Sequence, residues 1–175
     1  MTATIKNKIR TIPHWPKEGI MFRDITTLLS DPEGFKETID LLAERYKDKE
    51  IDKVVGIESR GFIFGAPLAY LLNCGFVPIR KPGKLPHDVE SEEYSLEYGT
   101  DKIEIHKDAL TKGDRILIID DLIATAGTAN AAANLVKRLG AEVVECAFII
   151  ELVDLKGRDK LKGESIYSIV EFEGE

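Results

Sequence analysis

Cysteine and histidine are scarce in this sequence. Two cysteines and three histidines occur among its 175 residues. Cys74 and Cys146 lie in apolar surroundings without the spacing of a metal site, and His14, His87 and His106 are far apart in the sequence. We therefore expect free, buried thiols in a reducing compartment and no metal site built from histidine or cysteine ligands.

Basic residues in excess and long apolar runs are also lacking. The chain has 31 acidic and 24 basic residues, and its net charge of −7 argues against a basic face for nucleic acid. One uncharged stretch, residues 61–79, contains Pro67, Asn73 and Pro78, so we interpret it as a buried helix and strand and not as a membrane span. The N-terminal residues lack the apolar core of a signal peptide, and we expect a cytoplasmic protein.

Apolar segments rich in β-branched residues alternate with amphipathic segments along the chain. The hydrophobic content of 43% and the length of 175 residues are typical of a single globular domain. We predict an α/β fold with a parallel core sheet flanked by helices, an antiparallel hairpin hood or mobile loop, and an N-terminal arm. Residues 1–175 form one domain in this interpretation, with the arm at 1–30 and the hood or flexible loop at 82–106.

The expected elements follow from hydrophobic period, caps and turn residues. Strands are expected at residues 53–57, 75–79, 94–98, 102–106, 116–119, 143–152 and 165–172. Helices are expected at residues 4–11, 62–72, 129–139 and 155–161, together with one that begins at Asp31 as N-cap and Pro32 as first helical residue. Residues 12–25, with two prolines and a glycine, are expected to be irregular, and residues 86–93 are expected to form a mobile loop.

The expected site lies in residues 114–130. Four apolar residues, Ile116–Ile119, precede the carboxylates Asp120 and Asp121, and a turn of small residues and hydroxyls at 124–128 leads into a helix. Ligands of open α/β sheets bind at the carboxyl ends of strands, and the N–H groups at a helix N-terminus attract phosphate. Carboxylates repel phosphate, so we expect the pair to accept sugar hydroxyls or to hold a hydrated Mg²⁺. This pattern predicts a site for a ribose 5-phosphate.

Cationic residues follow two other predicted strands. Arg60 comes after strand 53–57, and Arg80, Lys81 and Lys84 come after strand 75–79. The carboxyl ends of parallel strands share one edge of a sheet, which favours a polyanion site there, although such a cluster is often only a solvated loop. In the arm, Met21 and Phe22 beside Arg23 suit a flat aromatic ligand, but a packed surface arm is the commoner meaning of that pattern.

Residues 118–129 resemble the phosphoribosyl-diphosphate (PRPP) binding motif of the type I phosphoribosyltransferases. The usual loop of that family reads Ala-Thr-Gly-Gly-Thr, and Ala126 stands here in place of the first glycine. Alanine would cost on the order of 1 kcal/mol if that position requires a positive φ. Five further strings resemble the members of the family that use adenine, and they extend the resemblance over nearly the whole chain: residues 22–26, 56–62, 80–86, 94–99 and 155–158.

This resemblance implies the type I phosphoribosyltransferase fold and a purine salvage reaction. The 5-phosphoribosyl group of PRPP would pass to adenine, giving AMP and pyrophosphate, with Mg²⁺ held mainly by PRPP and no dedicated cluster of protein ligands. A homodimer is also implied, without nucleic acid or membrane as a partner. The loop that carries Arg60 often contains a non-proline cis peptide in such enzymes.

The resemblance also assigns residues to each part of the site. Glu97 and Tyr98 in the hood would be catalytic, and Asp120 and Asp121 would bind ribose. The remaining implied contacts are Ala124, Thr125, Ala126, Gly127 and Thr128 for the phosphate, Arg60, Arg80 and Lys84 for pyrophosphate, and Met21, Arg23 and Leu152 for adenine.

Two roles for Glu97 and two rival functions remain open at this stage. Glu97 would either accept the N9 proton of adenine or stabilise an oxocarbenium-like ribose. The first rival function is a PRPP-sensing regulator without chemistry, which the acidic charge balance disfavours. The second is transfer to another base, such as hypoxanthine, xanthine or orotate, because base identity rests on the resemblance.

Overall fold

Five parallel strands form the centre of the structure, a computed structural model that describes residues 2–96 and 99–174. The strands are β1 (Arg10–Pro13), β2 (Met21–Asp24), β3 (Lys53–Ile57), β4 (Gly75–Ile79), β5 (Val89–Ser95), β6 (Thr100–His106), β7 (Arg115–Ile123), β8 (Glu142–Leu152) and β9 (Ile166–Phe172). The helices are α1 (Thr2–Asn7), α2 (Thr26–Ser30), α3 (Pro32–Tyr46), α4 (Arg60–Leu71) and α5 (Gly127–Arg138). The central sheet has the order β4-β3-β7-β8-β9, and the pairs β1–β2 and β5–β6 are antiparallel. The predicted α/β fold with a parallel core is confirmed.

Apolar side chains on both faces of β7 explain why the sheet is covered on both sides. Ile116 and Ile118 belong to the core cluster that includes residues of α5. Leu117 and Ile119 belong to the cluster that includes residues of α3 and α4. All four side chains are fully buried, as expected for a central strand of a parallel sheet.

Residues 61–79 form a helix and a strand, as the sequence predicts. The helix α4 begins at Arg60, two residues before the expected start, and Pro67 lies inside it. None of the helices in the described part of the chain combines the length and the hydrophobicity that a membrane span requires.

The helix α3 begins as predicted. The Asp31 side chain accepts a hydrogen bond of 2.6 Å from the backbone N–H of Gly34, and Pro32 is the first helical residue. This arrangement satisfies one of the free N–H groups of the first turn. The face that carries Leu42 and Tyr46 is fully buried against the sheet, so the helix covers the core at the predicted position.

The N-terminal arm is more regular than predicted. The expected helix over residues 4–11 ends at Asn7, and residues 12–25, which were expected to be irregular, contribute to an antiparallel hairpin. Ile12 pairs with Phe22 in this hairpin, and the ring of Trp15 packs edge-on against Phe22 with the centroids 4.5 Å apart. The pairing joins two segments across a loop, which short-range patterns along the chain do not reveal.

The hood hairpin begins earlier than predicted. β5 starts at Val89, within residues that were expected to form a mobile loop, and pairs with β6 from Val89 to Ser95. Its acidic side chains reach α5, where Arg138 pairs with Glu90 and Glu92. The acidic side chains that suggested a loop therefore attach β5 to α5.

Two segments near the end of the chain also differ from prediction. β7 does not stop at Ile119, because Leu122 and Ile123 continue the parallel pairing with β8. The expected helix over 155–161 is replaced by two 3-10 turns, Val153–Leu155 and Gly157–Asp159. Both differences come from pairing and packing with neighbouring segments, which outweigh local preference.

A buried carboxylate network joins α3 to β8. Glu145 is almost fully buried and accepts hydrogen bonds from Arg45 at 2.8 and 2.9 Å, from Tyr46 at 2.6 Å and from Ser165 at 2.8 Å. Burial by itself would raise the pKa of Glu145, but the bonds from Arg45, Tyr46 and Ser165 outweigh it and lower the pKa to about 2. The ionised form of Glu145 therefore stabilises the folded state.

The substitution Glu145→Gln is expected to lower the free energy of unfolding by about 3 kcal/mol at pH 7, since it leaves Arg45 without its anion. The folded-state pKa of Glu145 is depressed, so its contribution is present above the unfolded-state value and is lost as the pH falls. Urea denaturation from pH 7 down to pH 3 should therefore show the difference between the two proteins shrinking below about pH 4.5. Glu44→Gln, at an exposed i,i+3 pair with Lys47, is the control and should change stability by less than about 0.5 kcal/mol. A constant difference across this pH range would contradict the assignment.

Candidate active site

The carboxyl ends of β3 and β7 meet at one cavity. These strands are parallel neighbours with Gly56 opposite Ile119, so the residues that follow each of them lie side by side. The cavity measures about 270 Å³. Its lining residues are Ile57, Glu58, Ser59, Arg60, Lys81, Asp120, Asp121 and Thr128. The structure therefore brings together Arg60, the two aspartates and Thr128, which the sequence predicts to share a site.

The two aspartates have different surroundings. Asp121 is buried and forms an ion pair with Nε of Arg60, while Oδ1 of Asp120 accepts a hydrogen bond of 2.9 Å from the backbone N–H of Asp121. The loss of water around Asp120 and the adjacent charge of Asp121 raise the pKa of Asp120 well above its usual range. Asp121 is therefore paired with a cation, whereas the surroundings of Asp120 disfavour its charge and favour a hydrogen-bonding partner.

Gly61 allows α4 to approach β7 closely enough to form this pair. A Cβ atom at Gly61 would lie 2.7 Å from the backbone oxygen of Ile119 and 3.2 Å from Oδ1 of Asp120. Both distances are shorter than ordinary van der Waals contact. Glycine at this position therefore places Arg60, the preceding residue, beside the end of β7.

The turn after β7 forms a second cavity of about 220 Å³. It is lined by Asp120 and the segment Leu122–Ala129, so it shares Asp120 and Thr128 with the first cavity. The helix α5 starts at Gly127 and directs its first N–H groups towards this turn, as a phosphate site requires. The predicted phosphate residues Ala124–Thr128 are thus adjacent to the predicted ribose residues.

Ala126, which stands where the family's loop has its first glycine, has a positive φ. This is the condition under which alanine was expected to be unfavourable there. Its φ is 62° and its ψ is 16°, immediately before α5. This left-handed conformation costs alanine on the order of 1 kcal/mol. The methyl group of Ala126 is nearly buried in the core cluster beside Ala129. Burial of one methyl group contributes about 0.8 kcal/mol, which offsets most of that cost.

Glu58 collects the cations that follow β4. It accepts hydrogen bonds from Arg80 at 3.3 and 3.4 Å and from the backbone N–H of Lys81 at 2.9 Å, and it forms an ion pair with Lys84. Burial would raise the pKa of Glu58, but the bonds from Lys84, Lys81 and Arg80 lower it to about 2. The peptide bond between Glu58 and Ser59 is cis. Arg80 and Lys84 therefore lie at the same sheet edge as Arg60, as predicted.

Lys81 lines the first cavity although the sequence analysis did not select it as a site residue. Its Nζ donates a hydrogen bond of 2.7 Å to Oη of Tyr94 and forms an ion pair with Asp101. Tyr94 and Asp101 are paired across the hood hairpin. The signal for Lys81 was its position between Arg80 and Lys84 in one cationic segment.

The predicted adenine residues are only partly brought together. Arg23 donates hydrogen bonds to Oγ1 of Thr11 at 2.7 Å and to two C-terminal backbone oxygens, and its guanidinium lies 4.5 Å from the ring centroid of Phe172. Phe172 pairs with Leu152 in the sheet, so the ring that Arg23 contacts belongs to the strand next to Leu152. Met21 lies in β2 opposite Pro13. No local sequence pattern indicates the contact between Arg23 and Phe172, because it joins β2 to the last strand of the sheet.

The hood borders the turn at residues 124–128. A third cavity of about 370 Å³ is lined by Tyr94, Ser95, Leu96, Thr125, Gly127, Thr128 and Lys160. The predicted catalytic residues Glu97 and Tyr98 lie outside the described residues. The described part of the hood thus contacts the same turn that the sequence assigns to phosphate.

Comparisons with known proteins agree with this geometry. A family model described as a phosphoribosyl transferase domain matches residues 24–172. The adenine phosphoribosyltransferase of Nitrosospira multiformis is 61% identical over 172 residues, which cover 97% of this chain and 98% of that protein. The crystal structure of the adenine phosphoribosyltransferase from Thermoanaerobacter pseudethanolicus has a TM-score of 0.94 and 51% identity, covering 98% of this chain and all of the other.

A further solved structure holds ligands. The adenine phosphoribosyltransferase of Saccharomyces cerevisiae, complexed with an imino-altritol bisphosphate and adenine, has a TM-score of 0.91 and 42% identity over 97% of this chain and 98% of that one. The matched domain and the full-length relatives place the chain in the phosphoribosyltransferase family. Within that family it belongs with the adenine phosphoribosyltransferases, to which it is similar from end to end.

The substitution Gly157→Ala should distort the turn at residues 124–128, the predicted phosphate site. Gly157 lies so close to the backbone oxygen of Ala124 that an added Cβ would overlap it. We expect a loss of about 1–3 kcal/mol in urea denaturation and weaker binding of ribose 5-phosphate by calorimetry. Gly75→Ala is the control, because its Cβ would meet only the flexible side chain of Lys53. Equal stability and equal ligand affinity in the two variants would contradict the expected coupling.

Proposed function

We propose that this chain transfers the 5-phosphoribosyl group of PRPP to adenine, giving AMP and pyrophosphate in purine salvage. The observation that carries the proposal is the convergence of Arg60, the aspartate pair and the turn at 124–128 on adjoining cavities that share Asp120 and Thr128. The high identity to adenine phosphoribosyltransferases over nearly the full length of the chain supports adenine as the base.

The proposed binding mode uses each part of the site for one group of PRPP. The 5-phosphate would occupy the turn at 124–128, where N–H groups and the hydroxyls of Thr125 and Thr128 offer donors. Asp120 and Asp121 would accept the ribose hydroxyls, since carboxylates repel phosphate but bind sugar. The diphosphate would lie on the side of Arg60, which contributes a planar cation at the same cavity.

The proposed chemistry is displacement of pyrophosphate by N9 of adenine. Positive charge grows on the ribose and negative charge on the leaving group as the bond between them breaks. Arg60, Arg80 and Lys84 would stabilise the leaving group by their charge. Glu97, with Tyr98 beside it, would accept the N9 proton or stabilise the ribose cation.

Adenine is proposed to bind between the arm and the end of β8. Met21 and Arg23 would contact it from one side and Leu152 from the other. Arg23 already lies against Phe172, the sheet neighbour of Leu152, which supports a site between these elements. Adenine needs an acceptor for its amino group, and backbone carbonyls are suitable groups for that contact.

Mg²⁺ is proposed as the metal of the reaction, held mainly by PRPP. Among the described residues, no three acidic, histidine or cysteine side chains form a metal-binding group. The carboxylate oxygens of Asp120 and Asp121 are the ligand type that Mg²⁺ accepts, and a metal carried by the diphosphate needs few protein ligands. Bound in this way, Mg²⁺ would neutralise charge on the leaving pyrophosphate.

A cytoplasmic homodimer completes the proposal. The two thiols form no disulfide with each other, and Cys146 is buried, in keeping with a reducing compartment. Sedimentation equilibrium tests the dimer, and a particle of one chain at micromolar concentration would contradict it.

The reaction is tested by turnover with PRPP and Mg²⁺ against adenine, hypoxanthine, guanine, xanthine and orotate. We expect AMP from adenine and no nucleotide from the other bases, because adenine has an amino donor at its 6-position, whereas hypoxanthine, guanine and xanthine have a carbonyl acceptor there and orotate is a pyrimidine. Nucleotide from another base would change the substrate assignment. No product from any base, with PRPP still binding by calorimetry, would favour a PRPP-sensing regulator.

The substitution Glu97→Gln should lower kcat by about a hundredfold or more while PRPP binding stays unchanged, because the amide cannot take a proton or carry the charge. Steady-state kinetics and PRPP calorimetry measure these two effects. Glu93→Gln, at an exposed position of the same hairpin, is the control and should retain full activity. Unchanged turnover of the Glu97 variant would remove this residue from the catalytic step.

A further inference from the structure

Glu58 is the common partner of the cationic segment that follows β4. Its carboxylate lies at the end of β3, and every polar contact that it makes in the described structure comes from residues 80–84. Oε1 contacts Arg80 and Lys84, and Oε2 contacts Arg80 and the backbone N–H of Lys81. One partly exposed acidic side chain therefore holds two cationic side chains and the backbone between them.

The Glu58 carboxylate reduces the repulsion between the like charges of this segment. Arg80, Lys81 and Lys84 occur within five residues, and without an anion they would repel one another and spread into solvent. The Glu58 side chain is only 11% exposed, whereas those of Arg80 and Lys84 are 35% and 46% exposed. The anion is thus the less exposed member of the cluster, and it holds both cations beside a residue that lines the cavity.

Glu58 leaves donors of both cations available. Arg80 uses Nε and Nη2 towards Glu58, at the long distances of 3.3 and 3.4 Å, and its guanidinium carries five N–H donors in all. Lys84 contacts the carboxylate with one Nζ that has three donors. Arg80 and Lys84 can therefore bind a polyanion without displacing the carboxylate that orients them.

We propose that Glu58 is a positioning residue for pyrophosphate, which holds Arg80 and Lys84 in place before the diphosphate of PRPP arrives. This inference rests on the proposed function. Preorganised cations bind a polyanion more tightly because their long side chains are already ordered in the folded protein and lose less conformational entropy on binding. Glu58 acts through Arg80 and Lys84 and needs no contact with the substrate.

The experiment compares Glu58→Gln with the wild type. Glutamine has the same shape, but it lacks the charge and presents an N–H₂ group to cations. We expect KM for PRPP and Kd for pyrophosphate to rise about tenfold and kcat to fall, because Arg80 and Lys84 hold the diphosphate and stabilise the leaving pyrophosphate, whereas KM for adenine should stay within about twofold of wild type. A role limited to stability would instead lower the melting temperature and leave these ligand-specific parameters unchanged.

Glu104→Gln is the matched control. Glu104 is buried and also holds this segment, but its carboxylate accepts a bond of 3.1 Å from the backbone N–H of Gly83 and contacts no cationic side chain in the described structure. Its KM for PRPP should stay within about twofold of wild type. In a double-mutant cycle, Glu58→Gln should have a clearly smaller effect on pyrophosphate Kd when Lys84 is already replaced by glutamine, because the two residues act through one contact.

Three results would overturn the inference: an unchanged or lower Kd for pyrophosphate in Glu58→Gln, an equal effect of Glu104→Gln, or full additivity with Lys84→Gln. The outcomes also separate this inference from the proposed function. A wild type that binds pyrophosphate but makes no AMP overturns only the proposed reaction. A wild type that makes AMP, alongside a Glu58 variant that binds pyrophosphate equally well, overturns only the role of Glu58.

Discussion

The parallel pairing of β3 with β7 is the constraint on which the site depends. Because Gly56 lies opposite Ile119, the turn that begins at Glu58 and the aspartates of β7 meet at one edge of the sheet. The absence of a side chain at Gly61 then lets α4 start against the backbone of β7 and brings Arg60 to Asp121. The turn at 124–128, the predicted phosphate site, follows β7 directly. The pairing of β3 with β7 therefore fixes the positions of Arg60, the two aspartates and this turn.

Charge is balanced locally within this protein of net negative charge. The cationic side chains at this sheet edge have acidic neighbours: Arg60 has Asp121, Lys81 has Asp101, and Arg80 and Lys84 share Glu58. Such pairs cost little when the donors remain partly exposed, and they keep the cations ordered. An acidic chain can thus hold a cluster of cations, and the net charge of −7 argues against a basic face for nucleic acid but not against a local polyanion site.

The agreement between sequence and structure differs from one element to another for physical reasons. Strands such as β3 and β7, and the capped start of α3, were predictable because a short apolar run or an Asp-Pro pair carries its signal locally. The β1–β2 hairpin was missed because its pairing spans two prolines and a glycine. Residues 89–93 were taken for a loop because their acidic side chains suggest solvent, whereas Arg138 of α5 holds them in a strand.

By itself, the sequence determined the alternation of strands and helices, the turn of small residues after paired aspartates, and the family, since each depends on residues close together along the chain. It also identified Ala126 as the residue in a glycine position, whereas its φ of 62° is known only from the structure. Only the tertiary structure decided that Glu58 holds Arg80 and Lys84, that Lys81 reaches the hood, and that Arg23 packs against Phe172. These contacts join side chains on different strands and loops, and strand order and register are long-range properties that local sequence patterns do not encode.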